Sequence, residues 1–168
     1  MKKLLTLFAA LGLAVLPQAQ ASLADRIAEA QAEWIVGTWE ADIDGNKVTL
    51  TYKWAIKDHV LASHFKSNDT ETYSLISLNT ETDEVEQTGY DNKGKKQTGS
   101  WRPKDDMPML TLTSKDDNGN TNSMGVAFRR IDQDNIEVQI YRVDADGTVA
   151  DFSEFSMEMK RVKAKSKI

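Results

Sequence analysis

Cysteine is missing altogether from the 168 residues. That removes disulfides, thiol catalysis and thiolate metal sites together, and with them the lipid-modified cysteine of a bacterial lipoprotein. Proline occurs three times and histidine twice. Beyond residue 21 no apolar run is long enough to cross a bilayer as a helix. A surplus of positive charge is also lacking: 21 basic residues face 26 acidic ones, a formal charge of −5. An acidic domain repels phosphate backbones, which argues against nucleic acid as a partner. No G-x-S-x-G elbow, P-loop or H-E-x-x-H pattern occurs. What remains is room for one domain and a processing segment, with an apolar fraction of 40% to build a modest core.

The processing segment is residues 1–21. Lys2 and Lys3 precede an unbroken apolar or small stretch over 4–16, Pro17 breaks it, and Ala19-Gln20-Ala21 is a small-x-small cleavage site. This is the three-part pattern of a secretory signal peptide, bacterial in style, and its apolar run is too short for an ordinary spanning helix. It predicts a periplasmic or secreted protein that starts at Ser22 with no stable membrane anchor. Losing two lysines takes the formal charge from −5 to −7.

Residues 22–33 read as a helix. Ser22 supplies a cap with Asp25 as its capping-box partner. Leu23, Ile27, Ala30 and Trp34 share one apolar face. A short helix with one apolar stripe needs a surface, so residues 22–36 are expected to pack on the end of whatever Trp39 begins. Gly37 is expected to end the helical pattern. From there the period changes to two. In 48–56, Val48, Leu50, Tyr52, Trp54 and Ile56 alternate with more polar residues. Further strands are expected over 59–66, 72–78, 84–90, 97–101, 109–114, 123–131, 136–143 and 149–162. Asp44-Gly45, Lys93-Gly94, Asn118-Gly119 and Asp146-Gly147 have the chemistry of hairpin turns. Pro103 and Pro108 bracket an acidic loop at Lys104-Asp105-Asp106. Strands joined in sequence by tight turns predict an all-β, antiparallel up-and-down sheet of about 8–10 strands, which removes its edges by closing into a barrel. The barrel is expected over 37–162, with a basic tail at 163–168.

The opening Trp34-x-x-Gly37-x-Trp39, the Trp54 of the next strand and the later Gly99-Ser100-Trp101 resemble the lipocalin-like domains of the calycin superfamily, and most closely their secreted bacterial members of unknown function. The resemblance covers about residues 33–162. It implies a closed barrel end in which Gly37 opens the first strand, Trp39 packs beneath it and Arg161 of the final strand stacks on that indole. It also implies a small ligand in the interior. The absence of a cysteine pair departs from many secreted lipocalins.

Strand parity places Tyr52, Trp54, Phe65, Tyr73, Met124, Phe128, Met157 and Met159 on the inward faces, with Arg130 and Arg142 near strand ends. From these, Tyr52, Trp54, Phe65, Tyr73, Phe128 and Arg142 are the candidate ligand-binding residues, the walls of a pocket for an apolar or amphipathic molecule. The alternative is that the same side chains simply fill the barrel. His59 shares parity with Leu61 and Phe65, which makes it the one candidate for an axial haem ligand, the cofactor of some small barrels of this superfamily. An ordinary histidine at a barrel mouth is the favoured reading, and no cofactor is expected. His59 and His64 are an odd number of residues apart, so they do not converge on one metal. Asp42-Ile43-Asp44-Gly45 and Asp144-Ala145-Asp146-Gly147 lack the third ligand of a calcium loop and read as turns. Asp58, His59 and Ser63 make only a paper triad, because neighbouring strand residues diverge. No catalytic or metal residue is assigned. Two other readings stand beside the carrier. An isomerase- or cyclase-like enzyme would bring Tyr73, His59 and Arg142 to one pocket. An envelope or surface protein would expose an aromatic patch, with Tyr90 and Tyr141 as candidates.

Overall fold

A computed structural model describes residues 21–116 and 118–163. The signal peptide expected over 1–21 and the basic tail expected over 163–168 lie outside them, but for Ala21 and Lys163. Ten antiparallel strands form a closed barrel in simple up-and-down order. They are β1 (Gly37–Ile43), β2 (Asn46–Ile56), β3 (Val60–Lys66), β4 (Glu71–Asn79), β5 (Glu84–Asp91), β6 (Lys96–Lys104), β7 (Met107–Lys115), β8 (Thr121–Arg130), β9 (Asn135–Arg142) and β10 (Phe155–Arg161). Each strand pairs with its sequence neighbours, and β10 returns to β1 to close the ring.

The turns explain the acidic connectors. Asp91, Asp116, Asp132 and Asp146 each accept a backbone N–H from two residues ahead, an Asx turn that ties the hairpin. Hydrogen bonds favour the charged form, chiefly from Lys95 N–H to Asp91, the Asn120 amide to Asp116, the Asn135 amide to Asp132 and Thr148 N–H to Asp146, so all four carboxyls sit below the ordinary aspartate value of 3.8. Asp44 and Gly45 both take positive φ, 52° and 81°, as a two-residue hairpin between β1 and β2 requires. Asp105 and Asp106 form an equally short turn. Pro103 and Pro108 do not bracket a loop but continue β6 and β7 as cross-strand partners, next to the turn where the ladder ends.

The helix α1 (Leu23–Glu29) is shorter than its apolar stripe suggests. Its start is as expected: Ser22 Oγ accepts from Asp25 N, and the Asp25 carboxylate accepts from Ser22 N at 2.8 Å. Its end is set by Gln31, which adopts φ 50°. Ala32 N–H then bonds Ile27 O and Gln31 N–H bonds Ala28 O, the paired bonds of a Schellman stop. Glycine is the usual residue there, and its absence hides the stop. The turn leaves Ala30 exposed and buries Ala32 and Ile35 in its place. A single 3-10 turn, Glu33–Ile35, follows. Gly37 opens β1, rather than closing the helix.

α1 covers the barrel end that carries the β2–β3, β4–β5, β6–β7 and β8–β9 hairpins. Ala24 N–H bonds Asp58 O in the β2–β3 turn at 3.0 Å, and the Arg26 guanidinium pairs with Asp83 in the β4–β5 turn. Leu23 and Ile35 enter the main core with Trp39, Leu50, Phe128, Val138 and Met159. At the seam, the Arg161 guanidinium lies over the Trp39 ring, 4.0 Å from its centre. Its Nη1 donates to Val36 O (3.0 Å), its Nη2 to Trp34 O (2.6 Å) and its Nε to Gln133 O (3.1 Å). Gly37 has φ +138°, and a Cβ there would overlap Arg161 Nη1.

The expected strand over 149–162 splits in two. Val149 makes an isolated bridge to Val143, and the intervening chain folds back over the outside of the barrel. Val149 packs there against Met109, Ala127 and Tyr141, a second small core on the outer face.

Candidate functional site

A cavity of about 960 Å3 lies beneath α1 at the helix-covered end. That is within the size range of small-molecule sites, roughly 300–1,000 Å3. Ten strands enclose a wider ring than eight, and the side chains on the β3–β6 arc are small: Ser63, Ser74, Gly89 and Gly99 all take inward positions there. The cavity floor is Tyr52, Leu61, Ile76 and Trp101, and Leu23 and Ile35 close it from above. Tyr52, Trp101 and Phe128 form one aromatic cluster. Trp101 stacks on Phe128 at 5.6 Å between centroids, and both meet the Tyr52 edge at 6.1–6.2 Å.

Two polar groups serve this floor. Burial holds the Tyr52 phenol far above the ordinary tyrosine range, while its hydrogen bond with Ser63 pulls the other way, so the phenol is neutral. Trp101 Nε1 donates to Gln87 Oε1 at 3.1 Å, and Gln87 is itself buried. The mouth opens between the C-terminal end of α1 and the β4–β5 and β6–β7 hairpins. Arg26 and Arg102 stand on it among Glu29, Asp83, Glu84, Asp105 and Asp106. Arg26 bonds Glu29 and Asp83, and Arg102 bonds Glu84. The Arg26 Nε–H is buried with no acceptor among the described residues.

Of the six residues expected to bind ligand, Tyr52 lines this cavity and Phe128 backs it through Trp101. Trp54 and Phe65 are half-buried and pack against the core without lining the cavity. Tyr73 is a correction. It faces outward and is 47% exposed, because β4 buries Ser74 and Ile76, which set the opposite parity. Arg142 keeps inward parity, yet at the far end of the barrel it is exposed and pairs with Asp144 at 3.2 Å. Met124 lies opposite it in register and is 47% exposed. Arg130 is exposed at the helix-covered end, donating to Asp132 O.

His59 is a second correction. Asp58 takes φ 64° and turns the chain, so His59 is exposed in the β2–β3 hairpin and does not face the interior. The parity linking it to Leu61 fails because β3 starts only at Val60. Ser63 is buried beside Tyr52, apart from that turn. Tyr141 points outward as its parity requires, but the folded-back segment around Val149 buries it to 5% exposure. Its hydroxyl donates to Gln139 Oε1 at 2.6 Å. Among the described residues, no group of three or more His, Asp and Glu is placed to hold a metal ion.

Sequence reasoning misses most of the wall. Leu61 enters the sequence reading only through its parity with His59, Trp101 only as part of the later Gly-x-Trp triplet, and Ile76 not at all. The rim residues come from two hairpin tips and a helix end, and nothing in the chain marks them as neighbours. No protein-family model matches the chain, and no curated protein matches it significantly.

Proposed function

We propose that this is a secreted or periplasmic carrier of the lipocalin-like kind, non-catalytic, that binds a small apolar or amphipathic molecule in the cavity beneath α1. The observation that carries this reading is that cavity: about 960 Å3, floored by Tyr52, Trp101, Leu61 and Ile76. Apolar walls with a few convergent polar groups suit a ligand that leaves water chiefly through its hydrocarbon part. The Gly37-x-Trp39 opening under Arg161 supports the kinship, and the leader-like residues 1–21 support the compartment. The enzyme reading loses its basis, because Tyr73, His59 and Arg142 lie on the outer face, in a hairpin at one end and at the opposite end. Native mass spectrometry of the protein purified from its own compartment tests the carrier. A stoichiometric added mass, lost in a Leu61→Trp variant that fills the cavity, is the expected result. A bare mass, together with no quenching of Trp101 fluorescence by N-phenyl-1-naphthylamine, would overturn it.

The surface reading keeps one observation of its own. Tyr73 and Tyr90 are cross-strand partners on the outer face, 47% and 54% exposed, with the His64 ring 5.8 Å from Tyr73. If that patch were the functional surface, alanine at both tyrosines would abolish the protein's cellular role while leaving cavity binding intact.

A further inference from the structure

Resting on that carrier reading, we propose that the cavity selects amphiphiles whose polar head is cationic, an alkylammonium rather than a fatty carboxylate. The rim carries five carboxylates, on Glu29, Asp83, Glu84, Asp105 and Asp106, against the two guanidinium groups of Arg26 and Arg102. The lining residues at this opening thus carry a net charge of −3, with Arg129 of the neighbouring strand the one further cation among the described residues that Asp106 is seen to act on. Both arginines are already engaged. Arg26 holds Glu29 and Asp83, and Arg102 holds Glu84, so neither is available as an anion receptor. An anionic head reaching the spare Arg26 Nε–H would bring a third carboxylate to a guanidinium that already holds two. Asp105 and Asp106 have no ion pair among the described residues, and they sit together at the tip of the β6–β7 hairpin. The nearest lysine in sequence, Lys104, faces the outer surface, its Nζ 5.0 Å from the Tyr141 ring centre.

An alkyl chain among Leu61, Ile76 and Trp101 therefore leaves its head level with this rim. A positive head is attracted there, a negative one repelled, and a neutral one indifferent. At a solvent-facing opening the effect is moderate: about tenfold in affinity between a cationic and a neutral head of equal chain length, and shrinking with salt.

The test is isothermal titration of the full protein with decyltrimethylammonium, decanol and decanoate at low ionic strength. The expected order of affinity is ammonium, then alcohol, then carboxylate. The Asp105→Asn/Asp106→Asn variant is expected to lower the ammonium-to-alcohol ratio to about threefold or less. Asparagine suits position 105, where φ is 55°. Binding of decanol with ammonium no tighter, or with decanoate tightest, overturns the charge selection and leaves the carrier reading standing. Failure of all three probes to bind removes the carrier reading and this inference with it.

Discussion

Arg161→Ala is the most informative single change. The side chain does two jobs at the seam: it stacks on Trp39, and it donates to three backbone carbonyls, those of Trp34, Val36 and Gln133. A cation over an indole contributes about 1 kcal/mol, nearer 2 when desolvated. Hydrogen bonds from a charged donor contribute roughly 1.5–3 kcal/mol each, less where water can replace the donor. The Gln133 bond is exposed and the other two are partly buried. Discounting for this, the loss is about 3–5 kcal/mol, a large fraction of the roughly 5–15 kcal/mol that holds a domain together. Arg161→Lys keeps the charge but not the flat fork, and is expected to cost about 2 kcal/mol. Urea unfolding followed by tryptophan fluorescence measures both. A second substitution makes the test sharper. Gly37→Ala displaces Arg161 Nη1 and also strains a φ of +138°. In the Arg161→Ala background only the strain remains, so the double-mutant cycle should show coupling of about 1 kcal/mol or more. A cost below about 1 kcal/mol for Arg161→Ala, or strict additivity with Gly37→Ala, would refute this account of the closure.

Four further outcomes follow from the same structure. Gly89→Ala places a Cβ on Ser74 Oγ and within 2.6 Å of Tyr73 O, and should cost about 1–3 kcal/mol; Ser74→Gly should recover only part of it, because the carbonyl stays. Asp83→Asn releases Arg26 from the β4–β5 hairpin, so hydrogen exchange of the α1 amides should rise severalfold while the global urea midpoint hardly moves. The turn carboxylates have folded values below their ordinary 3.8, so the stability they contribute is present above that pH and lost as pH falls through the folded values. The urea midpoint should therefore drop below about pH 4; an unchanged midpoint at about pH 3 would contradict the turn bonding. Tyr52 has the opposite sign: its folded value is raised above the ordinary 10.0, so stability is lost as pH rises beyond it, and Tyr52 should ionise only as the barrel unfolds in an alkaline absorbance titration.

Strand existence was legible because alternation over 48–56 and its successors leaves one face for the core. Capping was legible because Ser22 and Asp25 have the required spacing. Two of the errors share a physical cause, which is positive φ at residues other than glycine. Gln31 stops the helix, and Asp58 turns the chain before β3, each where no glycine marks the place. Parity also fails as a guide to exposure once chain folds over the sheet. Tyr141 is outward and yet buried, because the segment at Val149 covers it. For β4 the inward face carries Ser74 and Ile76 while Tyr73 and Leu75 stand outside, so hydrophobicity favoured the wrong face. The cavity is the least legible feature of all, because its lining is drawn from α1, the segment after it, several strand ends and two hairpins that lie far apart in sequence.

The seam between β1 and β10 has a kinetic meaning. It is a ladder of two register pairs, Trp39 with Arg161 and Glu40 with Lys160, where neighbouring strands elsewhere share six or more. Its partners are also the most distant in sequence, so its loop-closure entropy is the largest in the molecule. The pairings between sequence neighbours can form locally, but the ring cannot shut until β10 has been made, after every other strand. A chain emerging from synthesis therefore remains an open, unsealed sheet until the end, held back from its final shape by topology alone.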